Sequence, residues 1–144
     1  MRRPLKTDSV RKISALGIPI ETVLEIDIAT GTPELISVFK DKKHLLVEPV
    51  IEWNETINAV YSKLGIDYTI VNVAASNTNG VMNMETSTVL PGLPISHARL
   101  TEKANGQNIR SVPIRTIDSL LQEYNMPAPH FLKIDVDGVE ILIL

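Results

Sequence analysis

Short runs of branched apolar residues alternate along this chain with stretches whose apolar positions recur at helical spacing. Thr22-Val23-Leu24-Glu25-Ile26-Asp27-Ile28-Ala29 is bounded by Pro19 and Gly31 and reads as a buried strand. His44-Leu45-Leu46-Val47-Glu48, stopped by Pro49, reads as a second, and Tyr68 to Ala75 as a third. Between them Thr32 suits an N-cap and Pro33 a first helical turn, predicting a helix over 33–40. Ile57, Val60, Tyr61 and Leu64 mark one face of a further helix that Gly65 closes. Ahead of this, Ser9 is expected to cap a helix ending near Gly17. Near the other end Thr116 opens a helix carrying Ile117, Leu120, Leu121 and Tyr124, and His130 to Val136 forms a fourth strand. The segment Val139 to Leu144 opens another buried element.

Strand, helix, strand, helix, strand in this order predicts right-handed parallel crossovers, hence an α/β fold with a mostly parallel sheet and helices on both faces. One domain over 1–144 divides into a lead-in helix (1–21), a βαβαβ unit (22–76), an irregular insert or hairpin (77–112), and a helix, strand and helix start (113–144). Gly80, Pro91-Gly92, Pro94 and Asn105-Gly106 supply the turn signals of the insert.

Ligands of open parallel sheets bind beyond the carboxyl ends of the strands. Glu25, Asp27, Thr30, Gly31 and Thr32 close the first strand, Glu48 the second, Ser76 and Asn77 the third, and Asp135 and Asp137 the fourth. Gly31 lets backbone approach a ligand, amides at the Pro33 helix start suit a carboxylate, and Glu48 stands where a carboxylate accepts from ribose hydroxyls. A nucleoside cofactor is the expectation. Neither G-x-G-x-x-G nor G-x-x-x-x-G-K-[ST] occurs, which counts against NAD and ATP.

Composition narrows the partners. With 14 basic and 17 acidic residues the formal charge is −3, which argues against nucleic acid or an anionic membrane as a general target. The absence of cysteine excludes disulfides, thiolate metal sites and a cysteine nucleophile. The charged start lacks the apolar stretch of a signal peptide, and no run suits a membrane span, so a soluble cytoplasmic protein is expected. His44, His97 and His130 are read as structural or exposed, Trp53 as packing, and Lys133 as a sheet residue with a buried stem. Asp137 with Glu140 is the nearest approach to a metal pair, and no metal is assigned.

Ala29-Thr30-Gly31-Thr32-Pro33-Glu34-Leu35, Leu46-Val47-Glu48-Pro49, Thr116-Ile117-Asp118-Ser119-Leu120-Leu121 and Leu132-Lys133-Ile134-Asp135-Val136-Asp137-Gly138-Val139-Glu140 resemble, in order and spacing, the successive motifs of FkbM-family methyltransferases. The likeness covers about residues 13–144, and the last motif resembles the family's K-I-D-V-E-G-x-E. It implies a Rossmann-like class I methyltransferase fold, S-adenosyl-L-methionine as cofactor, and methylation of a hydroxyl on a small-molecule or glycan acceptor. Glu25 then matches the acid opening the glycine-rich motif, Gly31 its last glycine, Glu48 the ribose acid, and Asp135 the aspartate beside methyl transfer and the candidate base. The implied cofactor set is Glu25, Asp27, Ala29, Gly31, Thr32, Glu48, Pro49, Ala75, Ser76 and Asp135. Asp27 replaces a family glycine, where its charge opposes the methionine carboxylate; in an alternative register Asp27 is itself the opening acid. The family's closing strands have no counterpart here, so the chain reads as an N-terminal part of the domain whose uncovered sheet predicts self-association. A non-catalytic remnant with weak or no cofactor binding is the alternative, and a nicotinamide-dependent oxidoreductase a third.

Overall fold

The computed structural model describes residues 6–88, 92, 95–136 and 140–144. In chain order these form α1 (Lys6–Ala15), β1 (Thr22–Ile26), α2 (Pro33–Val38), β2 (Lys43–Val47), a 3-10 turn (Ile51–Trp53), α3 (Asn54–Lys63) and β3 (Asp67–Val71). Then follow β4 (Ala74–Ala75), β5 (Gly80–Ser87), β6 (His97–Thr101), β7 (Ile109–Arg115), α4 (Ile117–Glu123), β8 (His130–Ile134) and α5 (Glu140–Ile143).

Four of these strands build a parallel sheet in the order β3-β2-β1-β8. β1 lies between two neighbours and is buried at every position, which explains its continuous run of branched residues. Leu24 and Ile26 face a core shared with Leu45, Val47 and Leu120 of α4. On the opposite face Val23 meets Leu35 and Phe39, while Leu46 meets Ile36, Ile57 and Tyr61. The chain leaves β1 toward β2 on one side and reaches β8 on the other, so the strand order reverses beside β1, the position where such sheets open a ligand crevice.

The expected third strand is divided. After Val71 the Val73 amide donates to the Val71 carbonyl at 3.0 Å, a turn spanning three residues. The Asn72 side chain donates to the Glu48 carbonyl at 2.8 Å and exchanges hydrogen bonds with Asn54. Beyond this kink β4 joins a second, mixed sheet of order β4-β7-β5-β6. Residues 77–112 thus contain an antiparallel β5–β6 pair and most of β7, a strand that composition hides because Pro113 interrupts it. The proline is accommodated because β4 reaches only Ile114 and Arg115, leaving β7 with one neighbour at position 113. A bidentate ion pair from Arg110 of β7 to Glu52, at 2.7 and 3.0 Å, ties this sheet to the turn after β2.

Helix ends differ from expectation in two places. α1 is already helical at Lys6, ahead of Ser9, and α2 stops at Val38. Thr32 occupies the N-cap of α2 without making a side-chain cap, whereas Thr116 does cap α4, accepting from the Ser119 amide at 3.2 Å.

Candidate functional site

A cleft of about 320 Å³ lies over the carboxyl ends of β1, β2 and β8. Its floor is the loop after β1, with Asp27, Ala29, Gly31 and Thr32, together with Glu48 and Val50 after β2. Asp135 and Lys133 bound it on the β8 side, and Ile95, Ser96, His97 and Ala98 of the β5–β6 hairpin form the facing wall. A smaller apolar chamber of about 120 Å³ adjoins it, lined by Pro49, Ala75, Met84 and Leu100, and shares Asp27 and Ala98 with the cleft.

The floor has an unusual backbone. Asp27, Ala29 and Gly31 have φ of 59°, 50° and 108°, three alternate residues in the left-handed region that favours glycine. This is the conformational requirement of a glycine-rich motif, met with a single glycine. Gly31 is also constrained sterically, since a Cβ there would lie 3.2 Å from Cε2 of Tyr61.

Glu48 is 1% exposed and organises this loop. Its Oε2 accepts from the Ala29 amide at 2.7 Å and its Oε1 from the Val50 amide at 2.8 Å. Burial raises its pKa, while these amides and the Lys133 charge pull it back. On the opposite wall the Lys133 ammonium sits 3.2 Å from Asp135 Oδ2, with the lysine 21% and the aspartate 66% exposed. Lys133 therefore delivers its charge into the cleft and does not merely pack along the sheet.

Two sequence-derived site residues lie elsewhere. Glu25 does not line the cleft; it is 0% exposed and turns to the opposite side of the sheet end, accepting from the Tyr61 hydroxyl at 2.9 Å and meeting His44 Nδ1 at 3.1 Å. Alternation along β1 sends its side chain to the face of Val23, under α2 and α3. Ser76 is carried away with β4 into the second sheet and borders a different depression with Asn77, Thr116 and Asp118. Pro49 and Ala75 line the chamber and leave the remaining six, Asp27, Ala29, Gly31, Thr32, Glu48 and Asp135, around the cleft. Sequence reasoning missed Lys6 of α1 and the hairpin wall, whose return over the cleft is a long-range contact without local signature. His97, expected to be structural or exposed, is exposed and part of that wall. Asp137 lies outside the described residues, among which no group of three or more His, Asp or Glu is placed to hold a metal. Nor is any helix among them long and apolar enough to cross a membrane.

The sequence model of the FkbM methyltransferase domain matches residues 27–144. Neither a curated protein nor a solved structure matches the chain. The matched span begins at the first left-handed residue of the loop and takes in Glu48 and Asp135, so the cleft lies wholly on structure that the family model describes apart from Lys6. The chain belongs to the FkbM methyltransferase family.

Proposed function

We propose that this methyltransferase uses S-adenosyl-L-methionine and transfers its methyl group to a hydroxyl oxygen of a sugar, glycan or other small-molecule acceptor. The observation that carries the reading is the charge and shape of the cleft. Even with Asp27 set aside, Glu34, Glu48 and Asp135 outnumber Lys6 and Lys133 around it, an excess that favours a sulfonium cation and opposes a pyrophosphate. The residues fit such a donor: Glu48 would hold the ribose hydroxyls, and the apolar chamber of Pro49, Ala75, Met84 and Leu100 suits a flat heteroaromatic ring. When bound, the donor supplies an electrophilic methyl group.

The protein's task is then alignment and exclusion of water. Lys133 occupies Asp135 Oδ2 and orients the carboxylate, so that Oδ1 is available to accept the proton of an acceptor hydroxyl. The wall from Ile95 to Ala98 faces that carboxylate across the cleft and is the surface that an acceptor would meet.

Calorimetric titration with S-adenosylhomocysteine, with NADH as the comparison, tests the donor. Saturable binding of the thioether with none of the dinucleotide is the expected result. The opposite preference, or binding unaffected by Glu48→Ala, would overturn the assignment.

A further inference from the structure

We infer that Glu25, His44 and Tyr61 form a buried clamp that positions the 27–32 loop, so that donor affinity is set partly by side chains that never touch the ligand. All three are 0% exposed. They converge on a single atom, Glu25 Oε1, which accepts from the Tyr61 hydroxyl at 2.9 Å and lies 3.1 Å from His44 Nδ1. The other imidazole nitrogen, Nε2, must donate, because its partner at 2.9 Å is the Phe39 carbonyl. That carbonyl belongs to the C-cap of α2. At the other end of the same segment the Tyr61 ring lies against Gly31, where a Cβ would fall 3.2 Å from Cε2. The segment from the left-handed loop to the end of α2 is therefore held at both ends by residues that meet at one carboxylate oxygen.

The energetics favour a positioning role over simple filling. Three polar side chains in a dry interior are costly, and Glu25 Oε2 is buried with no hydrogen-bond partner among the described residues. Apolar side chains of similar volume would fill the space without that cost. The same loop holds Asp27 and Ala29, two residues other than glycine, at positive φ. Strained backbone of this kind persists where its surroundings over-determine it. The clamp contributes to that determination at Gly31, as Glu48 does at Ala29.

The inference rests on the methyl-donor reading, and its test separates the two. S-adenosylhomocysteine is titrated by calorimetry into the wild-type chain and into Tyr61→Phe, which keeps the ring and removes only the hydroxyl. Amide hydrogen exchange is followed in both. Affinity about tenfold weaker at a temperature where both are folded is expected, the equivalent of about one hydrogen bond. Exchange should accelerate over residues 28–39 and stay unchanged in β2 and β3. Equal affinity in the two proteins, or acceleration spread evenly over the sheet, would overturn the clamp. If the wild type does not bind the thioether, the donor reading fails, and the exchange pattern alone decides the clamp. Should Tyr61→Phe not fold, the isosteric Glu25→Gln is measured and read in the same way.

Discussion

Replacing Ala29 by glycine should stabilise the protein, against the usual effect of adding a glycine. The magnitude follows from the backbone. Ala29 has φ of 50°, and a residue with a Cβ in the left-handed region is disfavoured by about 1–2 kcal/mol. Glycine removes that strain but adds unfolded-state freedom, costing about 0.5–1 kcal/mol. The Ala29 amide bond to Glu48 is a main-chain interaction and survives the change. The balance is about 0.5–1 kcal/mol in favour of the variant, a rise of about 2 °C in Tm for a chain of this size. Urea unfolding should show a higher midpoint at an unchanged m value, which excludes an altered denatured state. Gly31→Ala is the control of opposite sign, since φ is 108° and the new methyl would press on Tyr61 at 3.2 Å. It should lose about 2 kcal/mol or more. A destabilised Ala29→Gly would refute the strain argument, for it would place residue 29 in an ordinary conformation in solution.

Three further outcomes are expected. Asp27→Gly removes a carboxylate shared by the cleft and the chamber and should tighten S-adenosylhomocysteine by about tenfold, read by calorimetry; weaker binding would show that the carboxylate assists. Glu48→Gln turns an amide NH2 toward one of two backbone donors and should lose about 1–3 kcal/mol in chemical denaturation. Because burial raises the folded pKa of Glu48 above 4.5, its contribution is full below that value and declines as pH rises through the raised one, so the wild-type margin over Glu48→Gln should shrink with pH. A margin that grows would refute the sign. Arg110→Met breaks the ion pair with Glu52, whose pKa the guanidinium lowers; the stability is present above the ordinary carboxylate value and lost as pH falls through the lowered one. At this partly exposed site the effect should be only about 0.5 kcal/mol at neutral pH and should vanish in acid, and a pH-independent loss would point to packing.

Much of the parallel sheet was legible because its central strands β1 and β2 are buried on both faces and carry their signature in nearly every residue, β1 most clearly. The crevice was legible for a related reason: polar residues that interrupt such runs at their carboxyl ends, Glu48 and Asp135, have nowhere else to point. Glu25 misled because it is polar inside the run, one residue before the end of β1, where alternation and not chain order decides which way it faces. Ser76 misled because the turn at Asn72 and Val73 sits within an apparently continuous apolar stretch; the amide side chain of Asn72 was the local sign of a break. β7 and the hairpin wall depend on pairings between residues far apart, such as Asn83 with Ser111, and no local pattern encodes them.

The kink at Asn72 and Val73 gives the cleft two sides drawn from different sheets. The loop after β1 and Glu48 follow strands of the parallel sheet, while Ile95 to Ala98 lead into and open β6, whose pairing register lies within the second sheet. Substitutions and changes in length between β5 and β6 can therefore remodel one jaw of the site while the other keeps its shape. In such an arrangement the specificity for one partner can drift through evolution, or be engineered, without renegotiating the grip on the other.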